Sequence, residues 1–265
     1  MLGRPIAHSL SPSLHRAAYH SLGLDWRYDA VDVGEQDLPG FLDGLGPEWV
    51  GLSLTMPLKT AVLPLLDEVS DVAGDVAAAN TVVLREGRRL GSNTDVAGIV
   101  ASLAEAGVST ASRAVVLGGG ATARSALAAL AALGCRTPVL VVRSSPDRTL
   151  EAAERLGVVP TVVPWSPDVL DGADLLISTL PARAADPLAP HVADVPALLD
   201  VVYDPWPTEL AAACRGVVIS GAAMLLHQAA EQVRLMTGRP APLEAMRQAL
   251  DGRPGAGAGP TGRPR

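Results

Sequence analysis

The segment from Ala114 to Leu133 constrains the fold more than any other stretch of the chain. The apolar run Ala114-Val115-Val116-Leu117 leads into Gly118-Gly119-Gly120, and an alanine-rich stretch follows to Leu133. A short apolar run bounded by a glycine turn reads as a buried strand, and the alanine run reads as a helix. A turn without side chains lets backbone amides and a helix N-terminus face a pyrophosphate. Gly118-Gly119-Gly120-Ala121-Thr122-Ala123 departs from G-x-G-x-x-G at its last position. Alanine is admissible there, because that position serves helix–strand packing. Three glycines alone also make plain loops; their place between strand and helix favours a nucleotide site.

Downstream, strands at 138–142, 159–163, 174–178, 197–202 and 217–219 combine with a helix at 147–156. That alternation predicts an α/β chain with a parallel sheet. The second strand ends in Val142-Arg143-Ser144-Ser145, where an NAD site would carry an acidic residue for the ribose 2′-hydroxyl. A cation and hydroxyl donors suit a 2′-phosphate instead, so the expected cofactor is NADP(H), with Arg143 and Ser144 at its phosphate. Arg124 and Arg148 read equally well as cofactor contacts or as surface charge.

Upstream of residue 107 the pattern is different. Ser11-Pro12 predicts a helix start, serine as N-cap and proline in the first turn, with Leu14, Ala18 and Leu22 as its apolar stripe and Gly23 as its stop. Strands are expected at 27–33 and 49–55, a hairpin over 81–92 turning at Glu86-Gly87, and a helix over 96–106. Helices at 222–237 and 242–250 fall outside the sheet pattern and are expected to pack back on this first part. The segment 251–265 is rich in Gly, Pro, Ala and Arg and is expected to be disordered.

Of the 21 basic residues, 20 are arginine; the only lysine is Lys59, in Gly51-Leu52-Ser53-Leu54-Thr55-Met56-Pro57-Leu58-Lys59. Arginine stays charged, whereas a lysine can pass a proton, so Lys59 is a candidate acid–base group. A leftover surface charge is the plain alternative. Around it in sequence lie Ser9, Ser11, Ser53, Thr55, Asn80 and Asn93-Thr94-Asp95, polar groups at the ends of apolar runs. Singly they read as caps and turn residues: Ser11 and Asp95 as helix caps, Asn80 and Asn93 as turn residues beside the hairpin. Other classes are disfavoured. A net charge of −7 argues against a nucleic-acid partner. No apolar run reaches the roughly 20 residues that span a bilayer, and no hydrophobic signal core opens the chain, so a cytoplasmic protein is expected. Cys135 and Cys214 are isolated, and the histidines show no ligand spacing, so neither a disulfide framework nor a metal site is expected.

These segments, taken in order, resemble the shikimate dehydrogenase family over nearly the whole chain. Gly3-Arg4-Pro5-Ile6-Ala7-His8-Ser9-Leu10-Ser11-Pro12 is similar to its G-x-P-I-x-H-S-x-S-P signature, and residues 51–59 to its G-x-N-V-T-x-P-x-K segment. Ala79-Asn80-Thr81, Asn93-Thr94-Asp95, Tyr203 and the run from Gly221 to Gln228 resemble its remaining elements. The resemblance implies an N-terminal α/β substrate-binding domain (1–95, completed by 222–250), a Rossmann-type NADP-binding domain (96–221), and a cleft between them. It implies NADPH-dependent reduction of 3-dehydroshikimate to shikimate by a monomer or homodimer, with Lys59 and Asp95 as the catalytic pair. Ser9 and Ser11 would hold the substrate carboxylate, and Thr55, Asn80, Tyr203 and Gln228 the rest of the ring. Gly118, Gly119, Gly120, Ala121 and Thr122 would meet the pyrophosphate, and Thr179, Val201 and Gly221 the nicotinamide end. Quinate or an aminoshikimate-type ring as substrate, or a non-catalytic sensor, are the alternatives. Keeping both Lys59 and Asp95 speaks against the sensor. Three departures stand out. Ser53 occupies an asparagine position, Val142 occupies another, and only two residues precede Gly3, where the family has an entire first strand.

Overall fold

A computed structural model describes residues 1–252. The first strand, β1 (Leu2–Gly3), pairs in parallel with β2 (Val31–Asp32), and helix α1 (Ser11–Ser21) connects them. The strand expected over 27–33 shrinks to these two residues because β1 offers only two partners. A short helix α2 (Leu38–Asp43) precedes β3 (Gly51–Ser53). The single turn α3 (Leu58–Ala61) carries Lys59. After β4 (Glu68–Val69) and α4 (Asp71–Val76) comes the hairpin β5 (Thr81–Arg85) and β6 (Arg88–Ser92). Its turn residues Glu86 and Gly87 both take positive φ, the geometry that matches the twist of paired strands. The four strands lie in the order β3-β5-β6-β4. Leu2, Leu38, Leu52, Leu54, Leu58 and Val82 form the core beneath them.

Helix α5 (Asp95–Glu105) leads into the second sheet. There β7 (Ala114–Leu117) is followed by α6 (Ala121–Ala132), then β8 (Val139–Val141), α7 (Asp147–Arg155) and β9 (Thr161–Val163). The chain returns through β10 (Leu175–Ser178), β11 (Ala197–Asp200), α8 (Glu209–Ala213) and β12 (Val217–Ser220). All six strands are parallel, in the order β12-β11-β10-β7-β8-β9. Strands β7, β10 and β11 are buried at every position, which explains why they read as continuous apolar runs. The winding reverses between β7 and β10, so a crevice opens beyond their carboxyl ends. Gly118 and Thr179 follow those two ends. Strand β11 stops at Asp200, short of the expected 202, because its carboxylate accepts from the Val202 amide and the Thr208 hydroxyl and turns the chain.

Helices α9 (Gly221–Thr237) and α10 (Leu243–Asp251) pack on α1 through Leu14, Ala18, Leu226, Ala229, Val233 and Met246. Asp251 ends α10 and Gly252 is a turn; the rest of the segment expected to be disordered, 253–265, lies outside the described residues. Among the described residues no helix is long and apolar enough to cross a membrane.

Candidate active site

Lys59 sits in α3, directly after the turn Thr55-Met56-Pro57, and its Nζ donates to Asp95 Oδ2 at 2.6 Å. The carboxylate is 5% exposed and the amine 14%, so water screens the pair little. Asp95 is the first residue of α5, but its side chain does not cap that helix; Asn80 Nδ2 donates to its other oxygen at 2.8 Å. The Asn80 amide has one possible orientation. Its Oδ1 accepts from the Thr94 backbone N–H at 2.8 Å and from the Thr81 hydroxyl at 2.8 Å, which leaves Nδ2 for Asp95 and Thr94 Oγ1. Asn93 holds the start of α5, accepting from the Asp95 N–H at 3.0 Å. The readings of Asn80 as a turn residue and Asp95 as a helix cap are therefore displaced by a shared polar cluster.

A cavity of about 200 Å³ lies over this cluster. Ser11, Thr55, Lys59, Asn80, Asp95, Tyr203 and Gln228 line it, as do Thr122, Val201 and Gly221 from the second sheet's side. Ser11 is not the N-cap of α1; Leu10 takes that place, and Ser11 is the first helical residue. Its Oγ is buried beside the Tyr28 hydroxyl without a hydrogen bond of good geometry. A buried hydroxyl left this way at a cavity wall is a ready donor for an anionic ligand. Ser9 does not line the cavity; its Oγ accepts from the Ser11 N–H at 3.3 Å.

Sequence reasoning missed what lies beneath. Tyr28 donates to Ser53 Oγ at 2.6 Å, and Ser53 donates to Gln232 Oε1 at 2.8 Å. His15 Nε2 meets the same oxygen at 3.1 Å, so Nε2 carries the ring proton and Nδ1 accepts from the Tyr19 hydroxyl. The only signal for Gln232 was its place one turn after Gln228 on α9, hence on the same face. Burial lowers the His15 pKa from 6.5 to about 3. An unfolded histidine takes up a proton near 6.5 and the folded one does not, so the stability of this arrangement is intact above that pH and drains away towards pH 3. A His15→Gln variant, which cannot titrate, is expected to be less stable than its parent at pH 8, with the gap in urea midpoints closing as pH falls. A gap constant with pH would count against this assignment.

The second cavity, about 470 Å³, opens over the glycine turn and is lined by Gly118, Gly119, Val142, Arg143, Ser144, Trp165 and Pro187, among others. Gly118 has φ +110°, and a Cβ there would lie 2.5 Å from Thr179 Oγ1, so only glycine fits. Thr179 backs the turn, its hydroxyl donating to the Leu117 carbonyl at 2.7 Å. Gly120 and Ala121 form the start of α6 behind the lining. Among the described residues no carboxylate lines this cavity, and Arg143 and Ser144 stand at the end of β8. Ser145 donates to Asp147, which ties it to its own loop. The donor set fits a pyrophosphate with a further phosphate nearby.

Arg124 is not part of this set. It is buried, and its guanidinium donates to the carbonyls of Val76 at 2.7 Å and Ala77 at 3.1 Å and to Thr60 Oγ1 at 3.0 Å. It binds the glycine-turn helix to the segment next to Lys59, and thus serves neither as a cofactor contact nor as surface charge. Arg148 does not line the cavity.

The family model for the shikimate dehydrogenase substrate binding domain matches residues 1–82, and that for the shikimate 5′-dehydrogenase C-terminal domain matches residues 221–250. A shikimate dehydrogenase (NADP(+)) of Moorella thermoacetica is 38% identical over 282 residues, covering 98% of this chain and 94% of that protein. The chain belongs to the shikimate dehydrogenase family. The crystal structure of the Mycobacterium tuberculosis shikimate dehydrogenase superposes with a TM-score of 0.88 at 44% identity, over 95% of this chain and 98% of that one. The Thermus thermophilus enzyme in complex with NADP(H) and shikimate gives 0.83 at 36% identity, over 94% and 96%. Shikimate dehydrogenases therefore share both the open parallel sheet and the smaller mixed sheet seen here, and the resemblance read from the sequence motifs holds across the chain.

Proposed function

We propose that this chain catalyses the reversible reduction of 3-dehydroshikimate to shikimate in the shikimate pathway, as an NADP-dependent oxidoreductase acting on a CH–OH group. The observation that carries the reading is the 2.6 Å Lys59–Asp95 pair in the wall of a cavity that the first turn of α6 also lines, through Thr122. NADP(H), when bound, supplies or accepts the hydride. Gly118 and Gly119 would bring backbone amides to its pyrophosphate, with Gly120, Ala121 and Thr122 opening the helix beside it. Arg143 and Ser144 would hold the 2′-phosphate, while Thr179, Val201 and Gly221 shape the nicotinamide end.

The chemistry at the substrate falls to the first sheet's residues. A ketone carbon that gains hydride leaves negative charge on its oxygen. The Lys59 ammonium stabilises that charge and donates the proton. Asp95 holds the amine in place, and Asn80 holds Asp95. Ser11, supported by Ser9, would take the carboxylate, and Thr55, Asn80, Tyr203 and Gln228 the ring hydroxyls. Residues 1–95 with 222–250 form the substrate-binding domain and 96–221 the NADP domain, in a cytoplasmic monomer or homodimer.

Steady-state turnover of NADP⁺ with shikimate, compared with quinate, tests the reaction; absence of shikimate turnover rules it out. Arg143→Ala is expected to raise KM for NADP⁺ about 10- to 100-fold, the scale of a lost charge-assisted hydrogen bond, and to leave the poorer KM for NAD⁺ unchanged. A parent enzyme that uses NADH as well as NADPH would contradict the assignment of Arg143.

A further inference from the structure

Gln232 is 1% exposed, lies on α9, and takes part in the cavity wall, while its hydrogen bonds go to groups other than Lys59 and Asp95. Its amide joins four groups from three elements. Oε1 accepts from Ser53 Oγ on β3 and His15 Nε2 on α1; Nε2 donates to the Asn80 carbonyl at 3.2 Å and to Thr81 Oγ1 at 3.0 Å, both at the start of β5. The orientation is forced, since a backbone carbonyl can only accept. The Asn80 carbonyl is shared with the Leu54 N–H at 2.7 Å, and Thr81 Oγ1 in turn donates to Asn80 Oδ1. Gln232 thus orders the residues that bring Asn80 to Asp95, and it accepts the hydrogen bond of the Ser53 hydroxyl within the same cavity wall.

We propose that Gln232 is a positioning residue for the reaction: from α9 it holds Ser53, the Asn80 carbonyl and Thr81, and through them the substrate face of the Asp95–Lys59 pair. The inference rests on the functional reading above. It separates Gln232 from a residue that only fills the core. A residue with a purely structural role changes the fraction of active protein. It lowers apparent kcat and leaves both KM values alone. A positioning residue changes how substrate is held, and leaves the cofactor cavity, on the far side of the α6 turn, as it was.

Gln232→Leu keeps most of the volume and removes all four hydrogen bonds. KM for shikimate is expected to rise about tenfold, the scale of leaving buried partners unsatisfied, with kcat reduced and KM for NADP⁺ within about twofold of the parent. Gln232→Glu covers the case in which the leucine variant does not fold. An ionised carboxylate accepts from Ser53 and His15 but has no proton for Thr81 or the Asn80 carbonyl; the protonated carboxyl does. Its kcat/KM for shikimate relative to the parent should therefore rise as pH is lowered. The titratable groups facing this position are His15 on α1 with Tyr19 behind it, Tyr28 behind Ser53, and the Met1 amino group, which lines the same cavity and whose pKa burial lowers to about 5; Asp95 and Lys59 lie beyond Asn80, and Glu231 is turned outward to Arg234. A leucine variant with both KM values unchanged, or a glutamate variant whose relative activity is flat with pH, overturns the inference while an active parent leaves the functional reading standing. A parent without shikimate turnover overturns both.

Discussion

Lys59→Met is expected to lose about 10²- to 10⁴-fold in kcat with shikimate, the range supplied by a positioned acid–base group. Methionine keeps the length and the apolar stem but has neither charge nor proton. NADP(H) binding, followed by the fluorescence of NADPH, should stay near the parent value, because the cavity over the glycine turn, which would take the phosphates, shares no lining residue with the cavity of Lys59, where only the nicotinamide end would reach. Asp95 keeps Asn80 as a partner, so the loss should be chemical more than structural, and the melting temperature should fall by only a few degrees. Lys59→Arg separates the two roles of the amine. It restores charge but cannot readily release a proton, so kcat is expected to stay in the range of the methionine variant. An arginine variant close to the parent would assign Lys59 to charge stabilisation alone. A methionine variant with nearly unchanged kcat would remove it from the chemistry.

The solitary lysine was legible as a candidate because chemistry leaves a trace in residue choice, and the second sheet was legible because parallel strands buried on both faces must be continuous apolar runs. The glycine turn is equally local: its strand, its positive φ and its helix lie within 20 consecutive residues. What the sequence did not reveal is set by tertiary contact. Strands β1, β2 and β4 are two residues each, too short for any periodicity, and exist only through their partners. Helix α3, which presents Lys59, is one turn after a proline.

The same limit applies at the site. Arg124 was ambiguous because its partners, Thr60, Val76 and Ala77, lie 47 to 64 positions away. Gln232 reads as an ordinary polar residue on an amphipathic helix until it is seen to be buried against Asn80 and Thr81, 152 and 151 positions earlier. Ser53 looked like a loss of reach compared with an asparagine; in the fold its short hydroxyl is met by the Gln232 amide coming from the other side. Ser11 looked like a cap, and its Oγ turned out to be the one buried side-chain polar atom without a partner among the described residues. Each of these depends on two segments meeting, which no window of one strand can record.

Gly221→Ala is expected to rank with the most damaging single methyl additions among the described residues. A Cβ on Gly221 would lie 2.0 Å from the Val201 carbonyl oxygen, 2.4 Å from its carbon and 3.0 Å from the Val202 carbon. All three are backbone atoms, so no side chain can turn aside to admit it. The chain after β11 is also fixed from its other end, since Asp200 holds the Val202 N–H and Gly221 N–H donates to the Val202 carbonyl. Overpacking of this kind costs about 1–3 kcal/mol where side chains can adjust, and a backbone obstacle places it at about 3 kcal/mol or more. For a chain of this size that corresponds to a fall of roughly 6–12 °C in Tm. Function should suffer beyond stability, because Gly221 begins the helix that carries Gln228 and Gln232 and abuts the segment carrying Val201 and Tyr203, all of which line the cavity over Lys59. Relief of the clash must move one of those two segments, so KM for shikimate should rise even in the folded fraction. Gly40→Ala is the control: it lies inside α2 with no atom within 4 Å of an added Cβ, and is expected to be neutral or stabilising by about 0.4–1 kcal/mol. If the Gly221 variant matched the Gly40 variant in Tm and in KM, the close approach of α9 to the end of β11 would not be what holds this side of the site.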